Sequence, residues 1–265
     1  MAERGTYSSL PYAKAHLSIA DTLDDVRLLR LLESASRQVD DDTGRHFHTV
    51  TATRYFTASD ANGLLVPDLL SVSALHTDDG SRAYATTWAT TDYELLASDS
   101  NPDAYPRWQV VTAPRGNHSF PKGLRRGARI AGVWGHGDGE NAAPWATTAI
   151  AIIVDNQATT LTVAGGTLEA GQTILVDSEQ IYMTSATTCE RAVNGTTAAA
   201  HNGSAVKTAR YPSGIVQATL ARAEIDLRIP ITGVSGGADI GTVTTGPAYA
   251  RYRGIVEQYR LAGVA

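Results

Sequence analysis

The chain has 265 residues, 43% of them hydrophobic and 18% charged, which supports a real core and excludes a long disordered tail or a charged coiled coil. Lys and Arg total 22 against 27 Asp and Glu, and a net charge of −5 argues against a protein held to nucleic acid mainly by nonspecific phosphate attraction. The lone Cys189 excludes an intrachain disulfide and a thiolate metal site, and no run nears the roughly 20 apolar residues that span a bilayer.

Met1-Ala2-Glu3-Arg4-Gly5 has neither the basic flank nor the apolar stretch of a secretory signal, so synthesis in the cytoplasm is expected. The length fits one large domain or two or three small ones. Net charge runs from −2 over residues 1–50 to −5 over 51–208 and +2 over 209–265. Thr, Gly and short apolar runs concentrate in the middle. The reading is therefore α+β, with helical ends around a β-rich centre.

Pro11 suits the first turn of a short helix ending near Leu17, with Ser9 as a candidate cap. A longer helix follows over about Leu23 to Asp41. Thr22 and Asp25 have the spacing of a capping box, and Val26, Leu29, Leu32, Ser36 and Val39 recur at helical period. Leu28, Leu31 and Ala35 widen the apolar arc beyond one seam, which implies neighbours on more than one side. Gly44 is the stop. Asp40, Asp41 and Asp42 sit at the negative end of the helix dipole, where carboxylates gain from an outside cation.

Beyond Gly44 the period becomes that of strands: 49–57, 64–66, 69–76, 93–96, 108–112 and 129–134, with turns at Asn62-Gly63 and Asp78-Asp79-Gly80. From about 145 to 209 the chain reads as a small all-β module. Its strands are expected at 160–163, 173–177 and 181–184, with a turn at Asn194-Gly195. An alanine-rich helix starts at Pro212 and ends by Pro230, and a glycine-rich loop follows. The last segment, 247–265, is helical in period. It carries Tyr249, Tyr252, Ile255, Val256 and Tyr259 together with Arg251, Arg253 and Arg260. Terminal segments of this kind gain order on a partner's surface.

No catalytic motif is present. Gly233-Val234-Ser235-Gly236-Gly237 departs from the nucleophile-elbow pattern, and there is no phosphate-binding loop, dinucleotide fingerprint or paired-His zinc helix. His46 and His48 stand two apart without a third ligand nearby in sequence, so no metal is assigned. His136, Asp138 and Glu140 belong to a glycine turn; a hydrolase using Asp138 or Glu140 is the remote reading. Lys122, Arg125, Arg126 and Arg129, with Arg115 upstream, form the one basic cluster. It is a solvated loop, or a contact for phosphate or for an acidic face of another subunit.

Tyr12-Ala13-Lys14-Ala15-His16-Leu17-Ser18-Ile19, then Asp24-Asp25, Ser34-Ala35-Ser36 and Thr43-Gly44-Arg45-His46-Phe47, resemble the opening of head–tail connector (adaptor) proteins of long-tailed double-stranded DNA phages. Leu69 to Leu75, Thr91 to Leu95 and Val133-Trp134-Gly135-His136 running on to Pro144 resemble later segments of that family. So does the helix after Pro212, with Gly233-Val234 beyond it. The middle module is similar to a β unit of related phage structural proteins. That likeness rests on Thr160-Leu161-Thr162-Val163, Gly171 to Leu175, Glu179-Gln180-Ile181-Tyr182 and the run Arg191 to His201. Where that unit usually has Arg-Gly, this chain has Arg191-Ala192, which implies a changed turn.

The resemblance implies a helical connector core, with a β-rich middle and an inserted all-β module. The divisions are 1–50 (helical core), 51–144 (β-rich), 145–209 (inserted module), 210–232 (core helix), 233–246 (loop) and 247–265 (docking segment). It implies a non-catalytic virion protein without cofactor or metal. Its subunits form a ring, commonly twelve-fold, in the neck between capsid and tail. Its partners are the portal, the next neck or tail protein, and double-stranded DNA that passes through without sequence-specific binding. No membrane is involved. Candidate interface residues are Leu29, Leu32, Asp40, Asp41, Asp42, Tyr249, Tyr252, Ile255, Tyr259, Arg251, Arg253 and Arg260. Lys122, Arg125, Arg126 and Arg129 are candidates for the channel or a subunit contact. The alternative is a tail-completion or tail-end virion protein.

Overall fold

The computed structural model describes residues 4–97, 101–114, 116–228 and 246–261. It is α+β, with helices and two antiparallel sheets. The chain divides into two compact units, Met1–Arg45 with Trp145–Ala265, and His46–Pro144. No helix among the described residues is long and apolar enough to cross a membrane.

The His46–Pro144 unit is one sheet. Its strands are β1 (Val50–Phe56), β2 (Gly63–Thr77), β3 (Thr86–Trp88), β4 (Tyr93–Leu96), β5 (Arg107–Thr112) and β6 (Ala128–Trp134). Their order is β1-β6-β2-β5-β4, with β3 paired to the far end of β2. The two expected strands at 64–66 and 69–76 are one long strand that changes register. Pro67 has no N–H to give the ladder and Asp68 takes a φ of 25°, so pairing with β5 shifts between Leu65 and Leu69. Leu64, Leu75, Val110, Ile130 and Trp134 form its core, and the Trp134 indole donates to Ala52 O at 2.9 Å.

The other unit contains α1 (Leu10–Leu17), α2 (Asp25–Thr43), α3 (Ser213–Arg228) and α4 (Gly246–Tyr259). Its sheet has the order β11-β10-β9-β12-β7-β8. These strands are β7 (Trp145–Val154), β8 (Thr162–Ala164), β9 (Thr173–Val176), β10 (Glu179–Met183), β11 (Cys189–Glu190) and β12 (His201–Ala209). The strand pattern missed β7 and β12, which pair along most of their length with two register shifts. Their alternation is diluted by Ala, Thr and Gly.

The expected capping box at the start of α2 does not form. Asp24 is the N-cap without a side-chain hydrogen bond, because Asp25 instead pairs with Lys14 Nζ of α1 at 2.6 Å. Gly44 ends α2 as expected, in the left-handed conformation (φ 68°) that glycine adopts without a Cβ clash. The apolar arc of α2 divides. Leu28, Leu32, Ala35 and Val39 are buried, three of them in a cluster with Leu10, Ala13, Leu220 and Ala223. At the other extreme, Leu23 just before the helix is 92% exposed and Val26 in its first turn is 69% exposed.

α4 lies on α2 and α3 of its own chain. Tyr252 and Val256 are buried, the Tyr252 hydroxyl donates to Asp42 Oδ2 at 2.5 Å, and Leu261 N donates to Thr43 O at 2.8 Å. Gly214 permits this approach: a Cβ there would sit 3.0 Å from the Tyr259 ring. The glycine loop expected over 233–246 lies, apart from Gly246, outside the described residues, as do Arg115 and Pro230.

Candidate functional site

Among the described residues, three clusters that each lie within one unit concentrate chemistry. The first is the centre of the small sheet's turns. Glu179, on β10, is fully buried and accepts five hydrogen bonds. Arg191 supplies two through Nε and Nη2, both at 2.7 Å, Ala192 N and Ala199 N supply two at 3.1 and 3.0 Å, and His201 Nε2 lies 2.9 Å away. The other His201 nitrogen lies 2.9 Å from Asp177 Oδ2, so the ring bridges two carboxylates. The remaining Arg191 donors reach the carbonyls of Asp155, Ala158 and Ala199. Burial alone would raise the Glu179 carboxyl. The Arg191 fork and the bonds from Ala199, His201 and Ala192 overcome it and hold the group below the usual carboxylate range.

Every donor of this network is spent on the loops it ties together, which makes it a structural clasp. Asn194 extends it. Buried and left-handed (φ 57°), it exchanges two 2.8 Å hydrogen bonds with the Arg4 backbone and donates to Gln180 Oε1. The expected Asn194-Gly195 turn is present, with both residues at positive φ (57° and 81°) and Thr196 N donating to Val193 O at 3.2 Å, and Asn194 also tethers the N-terminal segment. Ala192 takes a φ of 54°, the left-handed backbone natural to glycine, and so carries strain. Ala192→Gly is expected to raise stability by about 0.5 to 1 kcal/mol in chemical denaturation, the relieved strain slightly exceeding glycine's entropic cost.

The second cluster is a basic and aromatic cleft in the His46–Pro144 unit, lined by Tyr55, Arg82, Tyr84, Arg125 and Arg126. The Arg126 guanidinium lies 4.4 Å from the Tyr55 ring centre and that of Arg129 lies 5.1 Å from Tyr84. The two rings are 5.4 Å apart. Sequence spacing revealed Lys122, Arg125, Arg126 and Arg129 but not their neighbours. Tyr55 joins them because β1–β6 register sets it opposite Arg129, and Arg82 and Tyr84 arrive on the loop between β2 and β3.

The third is the helical face. Asp40 is buried, accepts from the Tyr7 hydroxyl and pairs with Arg37 at 3.1 Å, while Asp42 takes Gln38 and Tyr252. The acidic run is therefore satisfied largely within its own subunit, and only Asp41 is exposed. Leu32 and Tyr252 are core residues. Leu29, Ile255 and Tyr259 are half-buried, whereas Tyr249, Arg251, Arg253 and Arg260 face solvent.

The remaining candidates are turn chemistry. Asp138 accepts from the backbone of Glu140 and Asn141 and from the Asn141 amide, closing the bend after Gly135. Cys189 is buried, and burial pushes its thiol up to about 11. No protein family, curated protein or solved structure matches the chain.

Proposed function

We propose that the chain is a non-catalytic subunit of a virion ring that joins a phage capsid's portal to its tail and continues the DNA channel. The observation that carries this reading is the order of the connector-like segments along the chain, from Tyr12-Ala13-Lys14-Ala15-His16 to the helix after Pro212. Two structural features support it. Leu23 and Val26 leave apolar surface uncovered at the start of α2, a cost in water that a neighbouring subunit would remove. Tyr249, Arg251 and Arg253 of α4 are exposed, residue types that interfaces favour. A ring requires heterologous contacts between two different patches of one subunit, and these two regions are the candidates for them. The clasp around Glu179 keeps the β module rigid and performs no chemistry.

Negative-stain imaging of the purified protein, alone and with the portal encoded by the same genome, tests the reading. Rings seated on the portal are expected. Rings or caps formed only on tails would assign the chain to tail completion, and a protein monomeric in both mixtures would refute the connector role.

A further inference from the structure

We propose that the arginine–tyrosine cleft of the His46–Pro144 unit is a binding site for the phosphodiester backbone of duplex nucleic acid. This goes beyond the ring assignment and does not depend on it.

The first ground is unopposed charge. Several arginines elsewhere have carboxylate partners, Arg4 with Glu33 and Glu190, Arg37 with Asp40, Arg191 with Glu179 and Arg222 with Asp226, whereas exposed ones such as Arg27 and Arg251 stand singly and not in a cluster. Among the described residues, no carboxylate lies within 4.0 Å of the charged groups of Lys122, Arg125, Arg126 or Arg129. Arg82 has only Asp78, at 3.8 Å and with its side chain wholly buried. Asp79 is exposed in the same turn and engages Ser81. In a chain whose net charge is −5, five cations against two acids is a deliberate local field.

The second ground is construction. Mutually repelling guanidiniums on mobile loops would swing apart, yet these loops are tied. Arg82 Nη1 donates to Arg125 O at 2.6 Å, the Tyr84 hydroxyl donates to Arg126 O at 2.7 Å, and Arg126 N donates to Thr57 Oγ1 at 2.9 Å. Arg82, Tyr84 and Arg126 all adopt left-handed backbone, with φ of 67°, 52° and 56°. Three strained non-glycine residues around one cleft are the signature of a geometry kept for its use. An arriving anion offsets the repulsion.

The third ground distinguishes the ligand. A guanidinium over a tyrosine ring keeps its N–H donors in its own plane, available to oxygen acceptors. Arg126 covers Tyr55 and Arg129 covers Tyr84, so the aromatic faces are already occupied. What the cleft offers is charge with little apolar centre. Protein interfaces close around a desolvated apolar core, whereas phosphate contacts are charged and wet. The cleft therefore matches a phosphate backbone better than an acidic protein face, and without base-reading elements it is indifferent to sequence.

Fluorescence anisotropy with a labelled duplex of about 25 base pairs, titrated with the full-length protein from about 50 to 200 mM salt, tests this. Binding independent of sequence and strongly weakened by salt is expected. Arg125→Ala/Arg126→Ala should weaken it about tenfold at the low end and flatten the slope of log K against log salt by about two. Lys122→Ala/Arg125→Ala, which keeps the Arg126 contacts, is the second variant should the first melt early. No binding at low salt, or unchanged binding and slope in both variants, overturns the proposal. Displacement of the duplex by polyglutamate at equal charge overturns it in favour of an acidic protein partner. Portal-mounted rings of either variant, imaged in parallel, report on the connector reading separately: rings that persist without duplex binding leave that reading intact.

Discussion

Replacing Arg191 with alanine is expected to cost about 3 to 5 kcal/mol, because it strands the buried Glu179 carboxylate without its fork while three carbonyls lose a donor. Against a total stability of about 5 to 15 kcal/mol, that is enough to melt the small sheet's turns near physiological temperature. Glu179→Gln should also destabilise, since one amide oxygen replaces two carboxylate oxygens and either Ala192 N or Ala199 N is left facing an NH2 donor. The two variants also differ in pH response. Glu179 is held below the ordinary carboxylate range in the folded protein, so its contribution is fully present above the ordinary range of about 4.3 and lost as pH falls through the lowered folded value. The wild type and Glu179→Gln should therefore converge in strong acid and separate toward neutrality. Urea midpoints measured across that window check both statements. A loss below about 1 kcal/mol for Arg191→Ala would show that the network is dispensable.

Ending the chain at residue 245, before α4, is expected to lower stability by about 4 kcal/mol. Tyr252 and Val256 are each nearly fully buried against α2 and α3, and burial of such side chains contributes about 1.5 to 3 kcal/mol apiece. The Tyr252 hydroxyl would also leave Asp42 with one fewer donor. Thermal melting of the truncated protein is the measurement. A melting temperature equal to that of the full chain would mean that α4 is a detachable arm, whose buried face is free to serve a partner. The expected loss makes it a fixed part of its own chain, with Tyr249, Arg251 and Arg253 left exposed.

The sequence disclosed most where side-chain period was strong and contacts were local. The apolar spacing of α2 and its Gly44 stop, the edges of β1, β5 and β6, and the helix after Pro212 all follow from such patterns. What it concealed was long-range. Nothing near Asp25 shows that Lys14 will claim its carboxylate. Asn194-Gly195 makes the turn its letters announce, but nothing local shows that Asn194 will also bond Arg4, 190 positions away. β7 and β12 hide because Ala, Thr and Gly blur strand alternation. The basic cluster was legible as a run of charge, but its tyrosines and Arg82 join it only through strand register and an irregular loop. The residues Glu179, Arg191 and His201 were visible in separate segments of the β module; that they meet in a buried clasp required the fold.

The central claim is the place of the subunit in a virion. A symmetric cryo-EM reconstruction of the neck of the particle whose genome encodes this chain tests it most directly. The account predicts a closed ring immediately beneath the portal into which both units fit, with the start of α2, at Leu23 and Val26, covered by the adjacent subunit. A neck map that accommodates other proteins but not these two sheets and four helices, or density for this chain only at the far end of the tail, would contradict it.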